Sequence, residues 1–416
     1  NDLTLTALNG AIAIGGTVGS STTAMGDLIA SGNTSFTASS TVAVEQLKLS
    51  NFGSSISFAD AVKVGGNIGA DISATGTGTI SFAKTIEATN SATRVNLTSV
   101  NGALTVSGNI TGKLFVDIHS TGSGAISLAG VTTDQYNANI SIDSLTGNIT
   151  TSGAISTSGD IADIVINNDT SGDIIIGGNL SATGGGNILL GTGLGTPSGI
   201  GNLTINGTVS IGNTASLRFI AIETKGAGTV TVNKAISAGT SGLIYLSANG
   251  AQANAINVSK DVTITSGDGV DFITTGSNNT ISLASGANVT AAGNVTDTGT
   301  GTLNLGANIT STAGNIILDS LSINLTGAVA LKAQGTGSDI TLASVNGAQN
   351  LTLETPGVSG SNITLSSVGQ TTPLNKVTVT NSAGVTSGGL TAASVVLSDT
   401  TGNISSVSYT HLTLPT

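Results

Sequence analysis

The sequence has no cysteine and no tryptophan, only four prolines and two histidines, and charged side chains on just 8% of its 416 residues. Without cysteine there is no disulfide scaffold, no zinc–thiolate site and no thiol nucleophile. An ordinary globular domain is about one quarter charged, so this surface must consist largely of serine, threonine, asparagine and glycine. These absences exclude several site chemistries before any motif is considered.

The few charges are mostly acidic. The formal net charge is −11, from 22 acidic and 11 basic residues, and no Lys or Arg occurs between Lys260 and Lys332. A nucleic-acid-binding protein needs a basic surface that displaces counterions, so we expect no nucleic-acid partner. An anionic membrane surface is disfavoured for the same reason. No run of apolar residues is long enough to span a bilayer, so we expect no membrane insertion in this segment.

The chain is rich in glycine, with 59 residues, and it repeats one phrase: "ATGTGTISFAK" at 74–84, "STGSGAISLAG" at 120–130 and "DTGTGTLNL" at 297–305. Apolar residues make up 38% and recur throughout, which disfavours disorder. Apolar–polar–apolar triplets follow clusters of small polar residues. At intervals of 22 to 25 residues, they begin at Ile56, Ile80, Leu104, Ile126, Ile149 and Ile174. Later copies begin, less evenly, at Leu203, Val230, Ile281, Leu303, Ile340 and Ile363.

This repeat predicts an all-β fold. Short alternating runs bounded by turn residues are typical of strands with one buried face. One coil of the repeat accommodates three short strands and three turns, and successive coils stack about 4.8 Å apart. We predict a parallel β-solenoid, or β-helix, of roughly 16–18 coils with about 22–25 residues each. Residues 1–405 are expected to form one continuous solenoid, with Ile80, Leu104 and Ile126 in one inward-facing column.

The corners between strands have their own signature. A Gly-Asn pair followed by Ile, Leu or Val occurs nine times, as in Gly108-Asn109-Ile110 and Gly314-Asn315-Ile316. Both residues tolerate a positive φ, which suits tight corners. Asparagines at equivalent corners are also expected to stack in hydrogen-bonded ladders.

The end of the sequence breaks this pattern. Residues 406–416, "SVSYTHLTLPT", contain neither glycine nor asparagine, and we interpret them as a non-native or linker tail. The chain starts at Asn1 without Met or a signal-peptide core, so we expect it to be an internal fragment of a longer protein.

With these phrases, including "GTGTI" at 76–80, the chain resembles the filamentous-haemagglutinin-like adhesins and autotransporter passengers of bacteria. The resemblance covers about residues 1–405 but rests on low-complexity repeats. It implies a right-handed parallel β-helix, export to the bacterial cell surface or the extracellular space, and a role in adhesion or aggregation.

Parallel β-helices also carry polysaccharide-cleaving enzymes, whose sites need several acidic or basic side chains in one groove. Acids cluster at Asp160, Asp163, Asp169 and Asp173, but the nearest arginines in sequence are Arg94 and Arg218. We interpret the four acids as turn residues. A groove with three or more converging titratable side chains favours an enzyme, whereas one lined only by Ser, Thr and Asn does not.

Other candidate sites are weaker. Asp268 and Asp271 in "SGDGVDF" supply two carboxylates for calcium, but no third follows closely. Asp271, Asp297, Asp319 and Asp339 recur near the coil spacing but out of register, so they predict no acidic ladder.

His119 follows Asp117 by two residues and is a candidate to pair with it, although a solvated side chain is the simpler interpretation. The Gly-rich stretch 182–199 lacks the ending of a phosphate-binding loop and is interpreted as an extended loop.

We therefore predict no catalytic residue, no cofactor and no metal ligand. The expected function is a non-enzymatic surface or secreted rod that mediates adhesion, aggregation or matrix formation through multivalent contacts. Its partner is an unspecified surface protein or glycan, and end-to-end self-association is expected as well. The alternatives are a structural spacer and a carbohydrate-active enzyme on the same scaffold.

Overall fold

A computed structural model describes residues 1–20, 24–192, 201–213, 215–225, 227–250, 253, 255–358 and 360–406. Within these ranges the secondary structure consists of parallel strands joined by turns, with no helix. The chain is a parallel β-solenoid of about 15 turns, as the repeat predicts. Among the described residues, none lies in a helix suited to crossing a bilayer. Contacts divide the chain into unit 1, residues 1–212, and unit 2, residues 213–416.

The described residues of unit 1 form twenty-two strands, most of them three to six residues long. In chain order they are β1 (Leu3–Ala7), β2 (Ile12–Ile14), β3 (Leu28–Gly32), β4 (Ser35–Ala38), β5 (Val42–Phe52), β6 (Ser55–Phe58), β7 (Val62–Ala74), β8 (Thr79–Phe82), β9 (Ile86–Ala88), β10 (Arg94–Ser99), β11 (Leu104–Gly112), β12 (Phe115–Ser120), β13 (Ile126–Thr133), β14 (Ile140–Ser144), β15 (Ile149–Thr151), β16 (Ile155–Thr157), β17 (Ile164–Asn168), β18 (Ile174–Ile176), β19 (Leu180–Ala182), β20 (Ile188–Thr192), β21 (Leu203–Ile205) and β22 (Val209–Ile211).

In the part of unit 2 that the structure describes there are twenty-one strands. They are β23 (Arg218–Thr224), β24 (Thr229–Val232), β25 (Ile236–Ala238), β26 (Gly242–Ala248), β27 (Ala255–Val258), β28 (Ile264–Ser266), β29 (Val270–Thr274), β30 (Thr280–Leu283), β31 (Val289–Ala291), β32 (Val295–Gly299), β33 (Thr302–Leu305), β34 (Ile309–Ser311), β35 (Ile316–Leu325), β36 (Val329–Ala333), β37 (Ile340–Asn346), β38 (Asn350–Glu354), β39 (Asn362–Val368), β40 (Leu374–Asn381), β41 (Gly384–Ser387), β42 (Ala392–Leu397) and β43 (Ile404–Ser406).

The strands of unit 1 form three parallel ladders, so each coil contributes three strands as predicted. Ladder A runs through β10, β12, β14 and β17, ladder B through β6, β8, β11 and β13, and ladder C through β9, β11, β13 and β16. In ladder B, Ile80 pairs with Leu104 and Leu104 with Ile126, and all three are buried. The inward column that the sequence predicts is therefore confirmed.

Aliphatic side chains fill the interior because alternate residues of each short strand face inward. Aromatic rings replace them in the early coils, where Phe58 stacks on Phe82 at 4.6 Å between ring centroids and Phe36 packs against Phe58 at 5.5 Å. These rings are fully buried. Burying one such side chain stabilises a fold by about 1.5–3 kcal/mol, so the columns are the main source of stability.

Unit 2 is built in the same way, from ladders D, E and F. Ladder D runs through β26, β29, β32, β35, β37 and β39, and ladder E through β24, β27, β30 and β33. Ladder F runs through β25, β28, β31 and β34. Each ladder carries its own aliphatic column.

The sequence places two repeat copies in the wrong ladder. Ile340 and Ile363 stack on Ile316 in ladder D, whereas Leu303 of ladder E pairs with Ile323. All three faces use the same apolar–polar–apolar strand signature, so the pattern alone does not distinguish one face from another. The expected 16–18 coils are too many because some turns exceed 25 residues, as where Ile174 pairs with Leu203.

Asparagine and aspartate form the predicted ladders at the corners. In unit 2, Asn294 Oδ1 accepts from the backbone N–H of Asn315 at 2.8 Å, and Asn315 Oδ1 from that of Asp339 at 2.9 Å. Asp339 Oδ1 in turn accepts from the N–H of Asn362 at 2.7 Å. One side chain per coil thus satisfies a backbone donor of the next coil.

The prediction that the corner glycines are needed for a positive φ is wrong. Gly108, Gly147 and Gly314 do not have a positive φ. A Cβ on Gly147 would lie 2.1 Å from the carbonyl oxygen of Gly124. These corners need glycine because the backbones of successive coils approach too closely for a side chain.

One predicted loop contains a strand, and parts of two predicted segments lie outside the described residues. The stretch interpreted as an extended loop, 182–199, contains β20, because Asn187-Ile188 repeats the corner-and-strand signature. Its remainder, 193–200, lies outside the described residues. So does the predicted tail, except for Ser406 at the end of β43.

Candidate ligand-binding groove

A polar groove lies on the outer surface of ladder A in unit 1. In β10, β12, β14 and β17 the aliphatic residues face inward, so the alternate residues face solvent. Register places Thr98, His119, Asp143 and Asn167 in one outward row on four successive strands. Asn96, Asp117 and Ser141 form the adjacent row.

The two rows, with Val165 and Asp169, line a shallow groove of about 430 Å³. Its lining residues come from four successive coils, and equivalent positions on neighbouring coils are about 24 residues apart in sequence.

Hydrogen bonds connect the outward row around Asp143. His119 Nδ1 lies 2.8 Å from Asp143 Oδ2, and the His119 side chain is 37% exposed. The amide nitrogen of Asn167 donates to Asp143 Oδ1 at 3.3 Å and to Asp169 Oδ1 at 2.6 Å. Asn167 is held between two carboxylates, and its amide orientation follows from them because its oxygen would be repelled there.

Burial raises the pKa of the Asp143 carboxyl, and the Asp169 carboxylate raises it further by repulsion. The charge of His119 and the hydrogen bond from Asn167 act in the opposite direction, and Asp117 adds a small further increase. The net result is a carboxyl group whose pKa is above its ordinary value. Such a carboxyl in a groove is typical of, but not restricted to, functional sites.

A second depression of about 440 Å³ adjoins this groove and shares Asn96, Asp117 and Ser141 with it. Its far side contains Arg94 and Phe115, which are in register on β10 and β12. The guanidinium carbon of Arg94 lies 5.3 Å from the centre of the Phe115 ring, a cation–π contact. Together the two depressions form a surface that is acidic at one end and carries a flat ring at the other; we call it the ladder A groove.

The sequence singles out His119 but suggests the wrong partner for it. The histidine pairs with Asp143, one coil later, and its side chain is half-buried. The side chain of Asp117, two residues before His119, makes no hydrogen bond or ion pair with the described residues. The coil spacing contains the missing signal, because 119 and 143 are 24 positions apart.

The four clustered acids have separate roles. Asp163 Oδ1 accepts from the N–H of Asn187 at 2.7 Å, and Asp173 Oδ1 from that of Asn202 at 2.9 Å, so both are corner residues as expected. Asp160 and Asp169 also lie in turns, and the Asp169 side chain in addition lines the groove. The sequence distance to Arg94 is a poor guide, because stacking of coils brings Arg94 into the depression that adjoins the groove.

The candidate calcium residues of unit 2 are not gathered into a ligand set. Asp271 accepts a hydrogen bond from the Thr296 hydroxyl and is in register with Tyr245. Burial, followed by repulsion from Asp271 and Asp268, raises the pKa of the Tyr245 phenol. Within the described ranges, no three His, Cys, Asp or Glu side chains form a group able to hold a metal ion.

The register also keeps two of the four spaced aspartates, Asp271 and Asp297, out of line with each other. Asp297 pairs with Phe272, and Asp271 pairs with Thr296, so these acids do not stack on one another.

Comparison with known proteins adds no assignment: no family model matches the chain, and neither the curated proteins nor the solved structures include a match.

Proposed function

We propose that this chain is a non-enzymatic scaffold, displayed on a bacterial surface or secreted, that mediates adhesion or aggregation through multivalent contacts. The observation that carries the proposal is the repetition of small polar side chains along an outer face. Six successive coils present one outward hydroxyl in register, on ladder B and on β4 and β15, which pair with its two ends: Thr37, Ser57, Ser81, Thr105, Ser127 and Thr150.

Contacts repeated at about 4.8 Å allow many weak interactions to act together, which is how linked sites gain avidity without strong individual contacts. The resemblance to filamentous-haemagglutinin-like exoproteins supports the same role. End-to-end self-association belongs to this proposal, because strand edges that remain unpaired at the end of a stack are templates for another copy.

Beads coated with the folded protein at graded densities test this proposal. We expect binding to cells or to extracellular matrix to rise steeply with coating density, because avidity depends on simultaneous contacts. Heat-unfolded protein on the same beads controls for unspecific stickiness. Absence of binding at the highest density contradicts the adhesive role and favours the alternative of a structural spacer.

One observation favours a second candidate function, a carbohydrate-active enzyme. Asp117, His119, Asp143 and Asp169 converge on one groove, which meets the criterion stated above for catalysis. In this function Asp117 is the candidate proton acceptor, since its carboxylate is exposed. Incubation with a panel of polysaccharides, followed by detection of new reducing ends, tests it. Activity that disappears in Asp117→Asn supports the enzyme, and no product from any polysaccharide supports the non-enzymatic function.

A further inference from the structure

Two acceptors in the ladder A groove lack a donor. The Asp117 side chain is exposed and makes no hydrogen bond within the described part of the chain. Asn167 is only 6% exposed, yet its Oδ1 accepts no hydrogen bond. Because Asp143 and Asp169 hold the Asn167 amide nitrogen, the amide cannot turn to satisfy its own oxygen. Asn167 Oδ1 is itself shielded from solvent, so the acceptor in the groove that is open to a ligand is the Asp117 carboxylate.

The charge of the groove selects the kind of donor. Three carboxylates, those of Asp117, Asp143 and Asp169, line it together with His119. The only other charged side chain in the adjoining depression is Arg94, which lies over the Phe115 ring. A ligand that offers both hydrogen-bond donors and positive charge fits this field, whereas sulfated or uronic-acid polymers are repelled by it.

The backbone of the groove favours a glycan over a basic peptide. β10, β12, β14 and β17 are each paired with a strand on both sides. A peptide therefore finds no free strand edge to extend by main-chain hydrogen bonds, which is a common way for a sheet to bind one. Recognition here depends on side chains alone, and carboxylates, amides and hydroxyls are suited to hydroxyl and amine groups.

The spacing of the coils and the Phe115 ring also favour a glycan. The outward rows repeat once per coil, about every 4.8 Å, which is close to the length of one sugar unit. Phe115 is half-buried and, together with the Arg94 guanidinium that lies over it, adds an apolar surface next to Asp117.

We propose that the ladder A groove binds glycans that carry free amino groups, with Asp117 pairing with an ammonium group of the sugar. The inference rests on the proposed adhesive function for its biological setting, because it names the ligand class of one adhesive surface, but its chemistry depends only on the groove.

The test uses the full chain and a short oligomer of β-linked glucosamine, with its fully N-acetylated counterpart as the matched ligand. Calorimetry should detect binding of the amino oligomer and at least about tenfold weaker binding of the acetylated one, since acetylation removes one charge-assisted bond per sugar. Asp117→Asn should weaken binding of the amino oligomer by about tenfold for the same reason. Glu45→Gln, an exposed acid of unit 1 outside the groove, should leave it unchanged.

Three results overturn the proposal: equal binding of the two oligomers, equal binding by wild type and Asp117→Asn, or tighter Asp117-dependent binding of a lysine peptide, which would identify a peptide site. Circular dichroism of Asp117→Asn controls for folding. The adhesion assay with coated beads is read separately. Oligomer binding without cell adhesion contradicts the proposed function alone, whereas cell adhesion without oligomer binding contradicts this inference alone.

Discussion

Asp143 in unit 1 and Asp297 in unit 2 are both carboxyl groups whose pKa is raised mainly by burial, but their partners differ. Asp143 interacts with other side chains, His119 and Asn167, and faces a groove. Asp297 is 5% exposed and accepts three backbone N–H groups: those of Asp319 at 2.9 Å, Ser320 at 3.0 Å and Leu321 at 2.9 Å.

The comparison distinguishes a carboxyl group that stabilises the backbone from one that lines a candidate binding site. The three donors to Asp297 lie in the segment where the pairing of β35 with β37 shifts register, between Leu318 and Ser322. Asp297 therefore fixes the irregular segment of β35. Asp143 satisfies no backbone donor in the described structure, and side-chain partners can exchange for a ligand without unfolding a backbone segment. A raised pKa alone does not tell these roles apart.

The largest effect is expected from Asp297→Ala. This change leaves three backbone donors without their acceptor and should lower the free energy of unfolding by about 2 kcal/mol. The loss is smaller than for three fully buried amides, because water reaches part of this segment. Amide hydrogen exchange at residues 319–321 measures it locally, since a chain with two units does not guarantee a two-state transition.

Asp297→Asn is the matched control, because it keeps one carbonyl acceptor and should cost about half as much. Unchanged exchange at residues 319–321 in Asp297→Ala would mean that Asp297 does not stabilise this segment of β35.

A smaller effect, visible in its pH dependence, is expected from Asp143→Asn. Because the folded chain raises the pKa of Asp143 above its ordinary 3.8, the folded state binds this proton more tightly than the unfolded state. The contribution of Asp143 to stability is therefore present below that ordinary value and is lost as the pH rises through the raised pKa. Compared with wild type, Asp143→Asn should gain in melting temperature as the pH rises from below the ordinary pKa of 3.8 through the raised pKa.

Asp134 is a control of opposite sign in the same unit. Burial acts to raise its pKa, but hydrogen bonds from Lys113 and Gln135 and the charge of Lys113 outweigh it, so the pKa is lowered. Its contribution to stability is lost as the pH falls, so Asp134→Asn should lose melting temperature relative to wild type as the pH rises. The same trend in both variants would contradict the difference between their environments.

The sequence is sufficient for the inward columns because their periodicity is strict. Ile80, Leu104 and Ile126 differ only by one coil of chain, so a repeat found by inspection predicts their contact. The same arithmetic applied to outward residues would have paired His119 with Asp143, but a search for partners near in sequence leads to Asp117.

The irregular segment of β35 that Asp297 stabilises has no such signal in the sequence. It depends on a register shift in one coil, and irregularity of this kind is invisible to a periodic pattern. The corner glycines show a related limit, because the close approach of Gly147 to Gly124 is a property of two coils and not of a local conformation.

The smallest effect is expected from the His119–Asp143 pair itself, and its size decides what the groove is for. A half-exposed polar pair of this kind contributes less than about 1 kcal/mol, since solvent screens it and both side chains lose freedom. A double-mutant cycle with His119→Ala and Asp143→Asn should therefore give a coupling free energy in that range. A coupling above about 2 kcal/mol would place the pair with Asp297 among the groups that maintain the fold. A small coupling leaves the groove polar for a reason other than stability, as expected of a surface that awaits a ligand.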